Sequence, residues 1–219
     1  AKDKNTEDKL IAALHKFSDE DPTLTIRYDP ETKQNVVSGM GELHLEVYFS
    51  RIRKQLKIEF ETAVPRVNYK ETITKQVESR YKHKKQSGGH GQYGEVAIRV
   101  SPNKRGEGFK FINSIVGGVI PKQYIPGVEK GLLEGMNSGV LGKFPVIDIV
   151  VELYDGSYHE VDSSEISFKI AGRQALKEAM AKGDPILLEP IMTLSVYAMD
   201  KYTGDIISDL NGKRGRILG

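Results

Sequence analysis

The chain has 219 residues, 38% hydrophobic and 28% charged, with a mean hydropathy of −0.41; that is enough apolar material for one large core or two modest ones and excludes intrinsic disorder. Lys+Arg at 32 against Asp+Glu at 30 leaves a net charge of only +2, so attraction to polyanions must come from local clustering. Cysteine is absent, which excludes disulfides, thiolate metal sites and a cysteine nucleophile and agrees with a reducing, cytoplasmic location, while no apolar run approaches the roughly 18 residues of a membrane span.

In chain order, an apolar stripe at Leu10, Ala13, Leu14 and Phe17 predicts a helix through Glu20, capped by Asn5 or Thr6. Asp21-Pro22 stops it. Leu24, Ile26 and Tyr28 then alternate as a half-buried strand, Asp29-Pro30-Glu31-Thr32 makes a turn, and residues 34–38 return as the hairpin partner. A second helix after Gly41 is expected to turn Leu45, Val47, Phe49, Ile52 and Leu56 inward and Arg51, Arg53 and Lys54 outward. Lys57-Ile58-Glu59-Phe60 resumes the two-residue alternation of a strand. Helix, strand, strand, helix, strand is the order of a split βαβ, ferredoxin-like unit lacking its first strand, which would precede Ala1.

Further along, residues 67–78, 95–101 and 108–115 read as strands. A helix with Val128, Leu132, Leu133 and Met136 inward follows Pro126, residues 146–153 read as a buried strand, and residues 163–182 as a long helix capped by Ser163 or Ser164. A strand at 186–197 and a helix at 202–210 begin a second ferredoxin-like unit. Proline and glycine near residues 63–65 and 183–185 mark the boundaries of an α+β chain with domains at 1–63, 64–184 and 185–219.

Residues 80–94 pack Arg80, Tyr81, Lys82, His83, Lys84, Lys85, Gly88, Gly89, His90, Gly91, Gln92, Tyr93 and Gly94 together without a carboxylate before Glu95. Cations neutralise phosphates, aromatic and imidazole rings stack on unpaired bases, and glycines let the backbone approach closely, so the segment is read as an RNA-contacting loop. Its G-x-G-x-x-G string is not a dinucleotide fingerprint, because residues 95–100 continue as a strand where a helix is required, and no kinase H-R-D or D-F-G motif accompanies it.

A second polar loop runs through Tyr154, Asp155, Gly156, Ser157, Tyr158, His159, Glu160, Val161, Asp162, Ser163 and Ser164. A hydrolase centred on His159, Asp162 and Ser163 is disfavoured by their closeness in sequence and the lack of a G-x-S-x-G elbow; the adjacency of His159 and Glu160 speaks against a metal site. The expectation is helix capping at 162–164 and RNA contact at Ser157, Tyr158 and His159. Gly117-Gly118-Val119-Ile120-Pro121-Lys122 reads as a tight loop with no chemistry assigned.

Ser38-Gly39-Met40-Gly41-Glu42-Leu43-His44-Leu45-Glu46, Gly88-Gly89-His90-Gly91-Gln92-Tyr93-Gly94, Gly117-Gly118-Val119-Ile120-Pro121-Lys122, Asp155-Gly156-Ser157-Tyr158-His159-Glu160-Val161-Asp162 and Leu188-Glu189-Pro190-Ile191-Met192 closely resemble bacterial elongation factor G, over essentially the whole chain. The resemblance implies most of a third, ferredoxin-like domain at 1–63, a fourth domain with a left-handed βαβ crossover at 64–184, and the start of a ferredoxin-like fifth domain at 185–219. It implies a cytoplasmic, monomeric translation factor whose fourth-domain tip, including Lys82, Lys84, Lys85, residues 88–94 and residues 157–159, enters the decoding region of the small ribosomal subunit. There it would contact ribosomal RNA, transfer RNA and messenger RNA and block backward movement. His90 stands where related factors often carry arginine, keeping a stacking ring in place of a fixed cation. A recycling-specialised paralogue or a tetracycline ribosome-protection protein is the alternative with the same architecture. GTP and magnesium would belong to the family's separate GTP-binding domain, which this chain lacks, and the chain is expected to carry no cofactor and no catalytic site of its own.

This chain alone is therefore expected neither to bind nor to hydrolyse GTP, since no G-x-x-x-x-G-K-[ST] loop is present. Equilibrium dialysis with labelled GTP checks this, and saturable binding would contradict it.

Overall fold

A computed structural model describes residues 3–86 and 91–218. Residues 1–189 form one compact unit and residues 190–219 another.

The first unit opens with helix α1 (Lys4–Glu20), capped by Asp3, whose carboxylate accepts from the Thr6 backbone N–H at 2.8 Å and from its hydroxyl at 2.7 Å. The cap thus lies two residues ahead of the expected Asn5, because only Asp3 stands three residues before a donor that can answer it twice. Strands β1 (Thr25–Asp29) and β2 (Gln34–Ser38) pair as the expected antiparallel hairpin, Thr25 opposite Ser38 and Asp29 opposite Gln34. In α2 (Glu42–Leu56), Ile52 is buried and Leu45 and Phe49 pack beside it on Leu14, Phe17, Leu24 and Phe60. Val47 and Leu56, expected inward, are exposed. Val47 lies roughly 200° round the helix from Leu45, and Tyr48 takes the inward position instead, its ring 5.2 Å from Phe17. Residues 57–60 alternate as expected, yet belong to no strand among the described residues.

The expected strand at 67–78 divides into β3 (Lys70–Ile73) and β4 (Val77–Lys85) around an irregular turn. β3 pairs with β8 (Pro185–Leu188), and residues 189–197, expected to prolong β8, form no strand. β4, β5 (Gln92–Pro102), β7 (Ile149–Ser157) and β6 (Lys110–Asn113) make a four-stranded sheet in that order, antiparallel except for the parallel pair β6–β7. The crossover between the parallel strands carries α3 (Ile125–Met136), and α4 (Glu165–Lys182) follows β7. β7 begins and ends later than the expected 146–153, so the start of the second polar segment is strand.

Val96, Ile98, Val100, Val151 and Leu153 point from the sheet onto Val128, Leu132, Phe168, Leu176 and Met180 of the two helices, which forms the main core. Leu133, expected to join it, is exposed. The helices approach closely because α3 carries Gly127 and Gly131 one turn apart: a Cβ at Gly131 would stand 2.1 Å from the Lys169 carbonyl oxygen. In the second unit a 3₁₀ turn (Asp200–Tyr202) leads into α5 (Thr203–Gly212), near the expected helix, while Ile191 and Tyr197 are exposed.

A buried carboxylate fastens the loop at residues 140–144 to β3. Glu71 is fully buried, and its oxygens accept backbone N–H groups from Val140 (2.6 Å), Leu141 (3.0 Å), Gly142 (2.8 Å) and Phe144 (3.1 Å). Burial pushes its pKa up, and these four donors outweigh burial and hold it below the ordinary value. Glu71→Gln, which replaces half of this acceptor set with donors, is expected to cost about 3 kcal/mol by urea titration and to release the amides of residues 140–144 from hydrogen-exchange protection.

Candidate nucleic-acid interface

The two polar segments meet at one end of the four-stranded sheet, where β4 and β7 finish and β5 begins. The Tyr93 backbone N–H donates to the Asp162 carbonyl at 2.8 Å, the Ser163 hydroxyl donates to the Tyr93 carbonyl at 3.0 Å, and the Gly91 N–H donates to the Asp162 carboxylate at 3.0 Å. Residues 91–93 and 162–163 are thereby stitched together across a separation of about seventy positions.

Lys82, Lys84 and Lys85 lie on β4 and Gln92, Tyr93 and Gly94 on β5, with Lys82 opposite Glu95, Lys84 opposite Tyr93 and Lys85 opposite Gln92. These six, expected in a loop, are therefore ladder residues: the three lysines of β4 pair across to β5, and Gln92, Tyr93 and Gly94 of β5 pair back to Lys85, Lys84 and His83. Gly88, Gly89 and His90 lie outside the described residues. Lys84 and Lys85 are exposed and make no ion pair among the described residues.

The glycines serve contacts inside the protein. A Cβ at Gly94 would stand 3.1 Å from the α4 backbone at Ser167 and Phe168, one at Gly91 2.9 Å from the Asp162 carboxyl carbon, and one at Gly156 2.3 Å from the Glu95 carbonyl oxygen. Each allows two segments to touch at a place where a side chain would part them.

At the centre sits Glu95, the residue that sequence reasoning treated only as the end of the carboxylate-free run. It is 8% exposed and receives the Ser157 hydroxyl at 2.7 Å, the Tyr93 hydroxyl at 3.2 Å, Arg80 at 3.2 Å and Lys82 at 3.4 Å. Arg80 also pairs with Asp155. Burial would raise the Glu95 pKa, but Ser157, Arg80 and Lys82 together hold it down at about 2. No spacing rule signals this hub, since its donors come from β4, β5 and β7.

Ser157 is thus turned towards Glu95, with its oxygen 2.7 Å from the Tyr93 hydroxyl, while Tyr158 and His159 project outward. His159 Nδ1 accepts from the backbone N–H groups of Val161 and Asp162 at 3.3 Å and lies 3.6 Å from the Asp162 carboxylate. Its ring stands 6.2 Å from that of Tyr93, and Lys82 Nζ lies 6.0 Å from the Tyr93 ring centroid. A cation, a phenol and an imidazole are thus grouped at this end of the sheet, the two rings tilted at 51° to one another.

The hydrolase arrangement is not assembled. Ser163 Oγ is engaged by the Tyr93 carbonyl and by the His159 backbone N–H at 2.9 Å, so no imidazole nitrogen activates it. Ser164 caps α4, accepting from the Ser167 N–H at 3.2 Å. The loop at 117–122 adjoins the same end: Ile120 is buried against Gly156, the Tyr124 hydroxyl donates to the Ser163 carbonyl at 3.2 Å, and Gly117 and Gly118 take positive φ of 71° and 73° with Lys122 exposed beyond them. Sequence reading assigned it no chemistry; its glycine pair before an apolar anchor was the available sign.

Three family models match in order: Elongation Factor G, domain III over residues 1–64, Elongation factor G, domain IV over residues 65–184, and Elongation factor G C-terminus over residues 186–219. A solved protein of Thermus thermophilus is 45% identical and superposes with a TM-score of 0.84 over 100% of this chain, which spans 32% of the length of that protein.

Because the folded pKa of Glu95 lies below its ordinary 4.5, its contribution is present in full above about pH 4.5 and falls away as pH drops towards 2. Urea titrations between pH 2.5 and 5 should show the wild type losing about 2 to 3 kcal/mol more than Glu95→Gln over that interval.

Proposed function

The chain belongs to the elongation factor G family, and from that premise we propose that it is the part of a ribosomal translocation factor that follows the moving transfer RNA and messenger RNA into the decoding region. The observation that carries this reading is the convergence of residues 91–94 and 157–163 at one end of a rigid sheet, with Lys84, Lys85, Tyr158 and His159 outward. A sheet end of this kind suits contacts to backbone and ring faces, which do not depend on base identity and so serve any codon.

The residues divide the work. Lys82, Lys84 and Lys85 set phosphate attraction, with Lys82 shared with Glu95; His159, Tyr158 and Tyr93 offer ring faces; Gly91, Gln92, Gly94 and Ser157 fix the spacing between the segments. Gly88, Gly89 and His90 belong to the same proposed contact through the sequence resemblance. No bond is made or broken here. Rate acceleration comes from occupying the vacated position, with the energy of GTP hydrolysis supplied by a different domain of the full-length factor, which also carries GTP and magnesium. The partners are the small subunit, its ribosomal RNA, transfer RNA and messenger RNA, and the setting is the cytoplasm.

In the full-length factor carrying His159→Ala, single-turnover translocation is expected to slow tenfold or more while GTP hydrolysis in the same reaction is unchanged, corresponding to about 1.4 kcal/mol or more of lost barrier lowering. Unchanged translocation would remove His159 from the mechanism and favour the recycling or ribosome-protection reading.

A further inference from the structure

Both backbone polar groups of His159 end on one residue, four positions further along the chain. The His159 N–H donates to Ser163 Oγ at 2.9 Å, and the His159 carbonyl accepts the Ser163 N–H at 3.1 Å. Residues 159–163 therefore close a single turn in which one serine holds the histidine backbone from both sides. The imidazole it carries is 55% exposed.

Two further contacts of Ser163 run the opposite way, into the body of the fold. Its hydroxyl donates to the Tyr93 carbonyl of β5 at 3.0 Å, and its carbonyl accepts the Tyr124 hydroxyl at 3.2 Å. Tyr124 is in turn stacked on Phe168 of α4, with ring centroids 5.1 Å apart and planes 14° from parallel, and Phe168 is fully buried in the main core. The side chain at 163 has to accept from His159 and donate to Tyr93 at once. A hydroxyl does both and a methyl group does neither.

We infer that Ser163 is the positioning residue for His159, passing the fixed geometry of β5 and of the core beneath α4 to an imidazole that stands on an exposed turn. Removing its hydroxyl leaves the His159 N–H without this acceptor and the turn without its side-chain tie to β5, while the Ser163 backbone contacts remain. What the imidazole then does rests on the translocation reading proposed above; the dependence of His159 on Ser163 does not.

Two measurements test this. In the whole 219-residue chain, Ser163→Ala is expected to speed hydrogen exchange at the His159 amide about tenfold, the equivalent of one lost hydrogen bond, while the β5–β7 ladder amides keep their protection; Ser163→Thr, which retains the hydroxyl, should restore it. An unchanged His159 amide, or an equal loss throughout the ladder, would overturn the inference. In the full-length factor, Ser163→Ala should slow single-turnover translocation roughly threefold or more with GTP hydrolysis unchanged, Ser163→Thr should recover the rate, and Ser163→Ala combined with His159→Ala should be no slower than His159→Ala alone. Additive slowing in the double variant, or no slowing by Ser163→Ala where His159→Ala slows, would overturn it as well. If His159→Ala leaves translocation intact, the translocation reading falls, and hydrogen exchange decides the role of Ser163 by itself.

Discussion

A carboxylate taken out of water stays ionised only if donors surround it, and at Glu95 that requirement organises the end of the sheet. Its donors come from three strands: Arg80 and Lys82 on β4, Tyr93 on β5 itself, and Ser157 on β7. Meeting the demand of one buried charge therefore sets the positions of three chain segments relative to one another. Tyr158 takes its outward direction from this arrangement, because Ser157 immediately before it is turned inward. The glycines at 91, 94 and 156 are its steric counterpart, removing the side chains that would keep those segments apart.

The same device recurs. Glu71 gathers four backbone N–H groups from the loop before β7, and Asp148, itself at a φ of 55°, receives the N–H groups of Gly106 at 3.0 Å and Gly108 at 2.8 Å. In both cases a buried acid replaces the regular ladder that an irregular loop cannot form, so these backbone donors are matched. Loops held in this way keep a defined shape without a hydrophobic core of their own.

Much of this was legible in the sequence, and the misses share one cause. The β1–β2 hairpin, α1, α2 and α4 follow from periodicity and stop signals carried within each segment. Residues 57–60 have the alternation of a strand but enter no sheet among the described residues. Lys82, Lys84 and Lys85 have the composition of a solvated loop but are paired across to β5, a fact held jointly with residues 92–95. Which residues would be near the interface was readable; that Glu95 would anchor it was not, since its partners lie up to 62 positions away. Ser163, disfavoured as a nucleophile in the sequence, is held in space by the Tyr93 carbonyl.

The outer face of the sheet has a consequence of its own. Arg80 is shared between Glu95 and Asp155, Arg99 between Glu78 at 2.9 Å and Glu152 at 2.7 Å, and Arg99 also lies 5.1 Å from the Tyr154 ring centroid. Each guanidinium is thus committed to two carboxylates before any polyanion arrives. Condensed counterions on a nucleic acid would have little reason to leave for such a surface, whereas Lys84 and Lys85 at its margin carry charge that no carboxylate among the described residues pairs with. The two arginines of this face are thus paired within the protein, while Lys84 and Lys85 at its end are not paired with a carboxylate among the described residues.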